Sequence, residues 1–166
     1  MARTEIERTV QPSLLDRLTD LEPKMPSDSL QTREQSERAF RAAVQRDVEA
    51  LLNTRRTIEP APDECPQVHA SVYEYGLLDT TTIAVSTSDG RDALVAALED
   101  AVSRFEPRLV DARVRLVDGG TMALPELHFQ IEATLMMDPS PEQVMFDTVL
   151  EISNGEYDVR GADDRR

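Results

Sequence analysis

The tripeptide Glu106-Pro107-Arg108 stands where the chain changes from one periodicity to another. A carboxylate and a guanidinium on either side of a proline leave the backbone in set directions, and both form short charge-assisted hydrogen bonds. Two uses fit these residue types: an internal tie between two elements of the domain, or a docking point for charged groups on a partner. The other residues that could do chemistry are sparse. Cys65 is the only cysteine, so it forms no disulfide within the chain. It lies in APDECPQ with His69 nearby, but a proline-bracketed loop offers no electropositive site to hold a thiolate, and we read it as a loop thiol. His69 and His128 are the two histidines, and with a single cysteine they show no zinc-type spacing. His128 falls on the polar side of an alternating segment, where a solvated histidine is expected.

The elements that must position Glu106 and Arg108 follow from the pattern on either side. Before the tripeptide, Leu94, Ala97, Leu98, Ala101, Val102 and Phe105 recur at helical spacing, with Ser88 or Asp89 as the expected cap. Pro107 ends that helix by biasing Glu106 out of the helical region. After it the pattern alternates, with Arg113 and Arg115 facing away from Ala112, Val114 and Leu116, which predicts a strand over about 109–117. Gly119-Gly120 turns the chain. A second strand, about 126–137, has Leu127, Phe129, Ile131, Ala133 and Leu135 on one face and His128, Gln130, Glu132 and Thr134 on the other. A third is expected over about 143–152, and Asn154-Gly155 is a hairpin signal leading into Tyr157-Asp158-Val159.

Upstream, Thr32 and Gln35 form a capping-box pattern for a long helix in which Phe40, Val44, Val48, Leu51 and Leu52 share a face to about Asn53. Residues 57–70 are too rich in proline for helix or central strand and read as a long connection, and 71–87 shows no clear period. Residues 1–30 read as an arm. Ser13 caps a short helix with Leu14, Leu15, Leu18 and Leu21 on one face, and Pro23 and Pro26 stop it. So short and one-sided a helix must lie on its own domain or on a partner. The expected architecture is α+β: an antiparallel sheet of three to four strands, two long helices packed on one face and an N-terminal helical arm. The expected divisions are the arm at 1–30, one domain at 31–160 and a charged tail at 161–166.

A chain of 166 residues with a formal charge of −14 is large enough for a real core and too acidic to wrap nucleic acid, whose phosphates need clustered Lys and Arg. Lys24 is the only lysine, so nearly all positive charge sits on arginine, the side chain suited to bidentate carboxylate pairing. No apolar run is long enough to insert in a membrane and the first residues lack an apolar signal core, so a cytoplasmic protein is expected.

Taken together, RDVEALLNTRR (46–56), SVYEYGLLD (71–79), RFEPRL (104–109), LHFQIEATL (127–135) and VMFDTVLEISNGEYDV (144–159) resemble TssE, the baseplate subunit family of type VI secretion systems, itself similar to a wedge protein of contractile phage tails. The resemblance spans about residues 10–160. It departs at Glu74 and Leu78, where many relatives would have Asn and Pro. The resemblance implies a structural subunit without cofactor, docking to TssF, TssG and TssK and starting the sheath of TssB and TssC. Its partner-binding residues would be Glu106, Pro107 and Arg108 at the junction, Leu14, Leu15 and Leu18 on the arm, and Tyr157 and Val159 on a terminal hairpin whose open edge accepts a strand by main-chain pairing.

The lysozyme label carried by that family makes a rival concrete: a peptidoglycan glycosidase with Glu106 as general acid and Asp111 or Glu132 as the second carboxylate. Such a pair needs one carboxyl kept protonated in an apolar pocket. Arg108 favours the ionised form of its neighbour, and the chain has no tryptophan to stack on a sugar ring. A small regulatory binding module is the remaining reading, because fold does not dictate function.

Overall fold

Short polar side chains start the helices. The computed structural model describes residues 9–19, 32–79, 85–117, 126–138 and 140–161. Ser13 Oγ accepts from the Asp16 N–H at 3.2 Å and opens α1, Leu14–Leu18. Thr32 and Gln35 form the reciprocal pair the sequence pattern predicts: the Gln35 N–H donates to Thr32 Oγ1 at 3.3 Å and the Thr32 N–H to Gln35 Oε1 at 2.9 Å. They open α2, Arg33–Asn53. A single turn, α3 (Pro66–His69), interrupts the connection expected to be free of helix. Pro66 starts it, because the first helical residue needs no N–H partner. The last helix, α4, runs Ser88–Phe105 and is capped by Thr87, whose Oγ1 accepts from Gly90 N–H at 3.1 Å, not by Ser88 or Asp89.

The chain divides into two compact units, Met1–Val44 and Gln45–Arg166, with the division inside α2. In the first, Val10 is buried and its N–H donates to the Ser36 hydroxyl at 3.1 Å, while that hydroxyl donates to the Arg33 carbonyl at 2.7 Å. The leucines of α1 are exposed: Leu14 by 71%, Leu15 by 68% and Leu18 by 75%. Leu21, Pro23 and Pro26, the Gly119-Gly120 turn and the tail from Ala162 onward lie outside the described residues.

The second unit is built on a four-stranded antiparallel meander in chain order: β1 (Leu109–Leu116), β2 (Glu126–Leu135), β3 (Glu142–Glu151) and β4 (Glu156–Gly161). Alternation assigns the faces. Phe129, Ile131, Ala133 and Leu135 of β2 are buried, as are Phe146, Thr148 and Leu150 of β3 and Tyr157 and Val159 of β4. From the helices, Val48, Leu51 and Leu52 of α2 and Leu94, Leu98, Ala101 and Val102 of α4 complete the core. Each large apolar side chain withdrawn from water there is worth about 1.5–3 kcal/mol. β2 and β3 pair without a break from Glu126↔Glu151 to Leu135↔Glu142. β1 does not: the register slips between Val110 and Arg113, where Asp111 takes a φ of 56°. One extra residue at this bulge turns both Leu109 and Ala112 inward, although an unbroken strand would point them to opposite faces.

The connection after α2 is tied back by backbone bonds: Leu77 N–H donates to the Thr54 carbonyl at 2.8 Å and Arg56 N–H to the Leu77 carbonyl at 2.9 Å. Gly76 makes this approach possible. Its φ is +102°, and a Cβ there would lie 2.2 Å from the Thr54 carbonyl oxygen. Gly76→Ala therefore meets both backbone strain and overlap with main chain that cannot swing aside. We expect a loss of at least about 1–3 kcal/mol, read as a lower urea midpoint with an unchanged slope.

Candidate functional site

At the end of α4 the chain places two arginines within four residues of each other, and each holds a different part of the second unit. Pro107 stops the helix, and the Glu106 N–H still closes the last turn on the Val102 carbonyl at 2.9 Å. This turns the Glu106 side chain inward, to an exposure of 4%. Arg108 follows it. Its Nε donates to Glu106 Oε1 at 2.6 Å, its Nη2 reaches Glu106 Oε2, and its backbone N–H donates to Glu106 Oε1 at 3.2 Å. The same Nη2 donates to Asp47 Oδ2 of α2 at 2.7 Å, and Arg46 holds the other oxygen of Asp47 at 3.0 Å. The hydrogen bonding to the Glu106 carboxylate does most to push the Arg108 guanidinium further up in pKa. Burial, with Asp47 and Glu106 close by, pushes the Tyr75 phenol up as well.

The junction is thus an internal tie of α4, β1 and α2 whose outer rim is the partly exposed Arg108–Asp47 pair. Both oxygens of Glu106 accept from Arg108. Asp111 sits on the bulge and Glu132 on the polar face of β2, where it pairs with Arg115 at 3.5 Å.

A second hub forms around Glu74, which is only 6% exposed. Its Oε2 accepts from Arg104 Nη2 at 2.7 Å and lies 3.8 Å from Arg56 Nη1. Its Oε1 accepts from the Ala61 N–H at 3.2 Å and lies 2.8 Å from His69 Nδ1. The Arg104 hydrogen bond above all, with help from Ala61 and His69 and against the effect of burial, holds the Glu74 carboxyl at a pKa of about 2. Arg104 also donates to Asp100 at 2.9 Å and to the His69 carbonyl, and lies 5.1 Å from the centre of the Phe105 ring. One arginine of α4 thereby fixes the connection between α2 and α4. Beside it runs a groove of about 240 Å³ floored by Leu77, Leu94, Ala97 and Ala101 and rimmed by Arg56, Glu74, Asp100 and Arg104.

The remaining predicted residues fall elsewhere. Leu14, Leu15 and Leu18 stand exposed on α1 in the other unit. The side chains of Tyr157 and Val159 are buried, so what β4 can offer a partner is its backbone edge. No trio of His, Cys, Asp or Glu among the described residues is grouped to hold a metal ion. Sequence reasoning missed Asp47, Glu74 and Arg104. Their partners lie 61 and 30 residues away, beyond the reach of local periodicity. The one local sign was an acid between two tyrosines in an otherwise unassigned segment.

Residues 38–140, more than half of the chain, match the family described as baseplate wedge protein gp25. Both hubs lie inside the matched residues and β4 lies outside them. No curated protein matches the chain.

Arg108→Ala should strand an ionised Glu106 in the interior. We expect about 2–3 kcal/mol lost in urea unfolding, at the low end for a buried pair because Arg108 itself touches water. Glu106→Gln in the same background should recover part of it. For Glu74 the folded pKa is depressed, so its stabilisation is complete above its unfolded value near 4.5 and is lost as pH falls toward about 2. Glu74→Gln should be less stable than wild type at neutral pH, and the gap between their urea midpoints should close over that acid window.

Proposed function

This chain belongs to the baseplate wedge protein gp25 family, and on that premise we propose that it is the TssE-like wedge subunit of a type VI secretion baseplate. In this reading it works in the cytoplasm, docks to TssF, TssG and TssK, and starts polymerisation of the TssB–TssC sheath by main-chain strand pairing. The family match carries the reading, because it spans the Glu-Pro-Arg junction together with the helix before it and the two strands after it.

Physical features support the separate parts. A four-stranded meander that does not close on itself has two edges, and each can present backbone groups to another chain. No helix among the described residues is long and apolar enough to cross a membrane. The three leucines of α1 stand in water on a helix of five residues, which is too short to persist alone. Seating them on a wedge partner would withdraw large apolar surface at both chains, which is the means by which such an arm binds. At the junction, Glu106 acts from within by fixing Arg108, and the rim formed by Arg108 and Asp47 is what a partner would meet.

Replacing Leu14, Leu15 and Leu18 together by Ser should leave the urea midpoint of the isolated chain within about 0.5 kcal/mol of wild type, as for surface sites. It should cut recovery of the chain with co-expressed wedge partners at least about tenfold, the equivalent of 1.4 kcal/mol. Undiminished recovery would remove the arm from the docking surface. Release of peptidoglycan fragments by the purified protein, abolished in Glu106→Gln, would overturn the structural reading.

A further inference from the structure

Both edges of the sheet carry side chains where a neighbouring strand would place peptide groups. On β4 the outward residues are Tyr157 and Val159, since in an antiparallel strand the N–H and C=O of one residue point the same way. The Tyr157 N–H donates to Asn53 Oδ1 at 2.8 Å, and Asn53 Nδ2 donates to the Tyr157 carbonyl at 2.8 Å. Gln45 Nε2 donates to the Val159 carbonyl at 2.9 Å. On β1 the Val114 N–H donates to Glu99 Oε1 of α4 at 2.9 Å. Each long helix therefore reaches over one edge.

The Asn53 contact is the most specific of these. A carboxamide carries one acceptor and a donor in the arrangement of a peptide unit, and asparagine and glutamine are the side chains able to return both bonds to a single residue. Asn53 makes with Tyr157 the two-bond exchange that a paired strand residue would make. Asn53 is exposed and Gln45 half-buried, so neither amide belongs to the core.

We propose that Asn53 and Gln45 form a built-in strand surrogate that keeps the β4 edge closed in the free subunit, an autoinhibitory contact that an incoming strand must displace. The inference rests on the strand-pairing reading above for its purpose. On this reading the surrogate would keep a chain that accepts a strand apart from its own copies. A bare β4 edge is self-complementary about a two-fold axis, so two copies could pair antiparallel through Tyr157 and Val159. The net charge of −14 opposes that pairing over a distance but is screened by salt, whereas the surrogate acts at contact and is not.

The test uses the purified full chain in moderate salt. In the Gln45→Ala/Asn53→Ala variant, sedimentation at rising concentration should show self-association at least about tenfold tighter than wild type. The Tyr157 amide should exchange with solvent at least about tenfold faster at low concentration. Adding Val159→Pro, which removes an outward N–H, should abolish the association. If the double alanine variant fails to fold, Asn53→Asp serves in its place, because it keeps the acceptor for Tyr157 N–H and loses the donor to its carbonyl. A folded variant that stays at the wild-type mass overturns the proposal whatever its amide exchange, as does association that survives Val159→Pro. Neither result bears on arm docking, which is read with partners present.

Discussion

Pro107 forbids α4 to continue, and the consequence is electrostatic as much as geometric. Ending the helix there turns Glu106 into the interior, where an ionised carboxylate is tolerable only with a cation in bonding contact. Arg108 is that cation, and its planar fork has donors left over after both Glu106 oxygens are engaged. The spare donor reaches Asp47, so satisfying one buried acid also fastens α2. The first residue of β1 follows immediately. Helix end, strand start and the neighbouring helix are therefore positioned by a single guanidinium, and the sheet hangs from that point.

Arg104 repeats the solution one turn earlier. It meets a second buried acid, Glu74, and through it holds Ala61 and His69 of the long connection. A chain with one lysine has put arginine against both of these buried acids, Glu106 and Glu74. A lysine would supply a point charge, but could not bond two oxygens of one carboxylate and reach a third group in the same plane. At the junction the acid is a structural acceptor, with both oxygens of Glu106 engaged by Arg108.

The sheet edges are governed by the complementary requirement that backbone N–H and C=O groups be paired. The meander leaves two rows of such groups unpaired within the sheet, and the long helices supply side-chain partners to some of them: Asn53 to both groups of Tyr157, Gln45 to the Val159 carbonyl and Glu99 to the Val114 N–H. On the proposed strand-pairing role, the subunit needs an edge another chain can use and must remain separate until that chain arrives. Side chains meet both needs, because they satisfy the edge without the permanence of another strand.

Much of this was legible in the chain itself. The capping pair Thr32 and Gln35, the helical stripe ending at Phe105, the stop at Pro107 and the alternation from Leu127 to Leu135 are each written within a few residues, because caps, helix faces and strand faces depend on local spacing. The α+β class followed from those elements, and the family from the resemblance of five stretches between residues 46 and 159. The partners of Arg108 and Arg104, the bulge at Asp111 and the capping of β4 by Asn53 were not legible. Each depends on which segments the fold brings together, and Asn53 in sequence is only the last residue of a helix. Local spacing determined the elements and where they end. Tertiary structure alone decided that Glu106 lies inside and that the β4 edge is covered, because burial of a charge and pairing of an edge depend on neighbours distant in the chain.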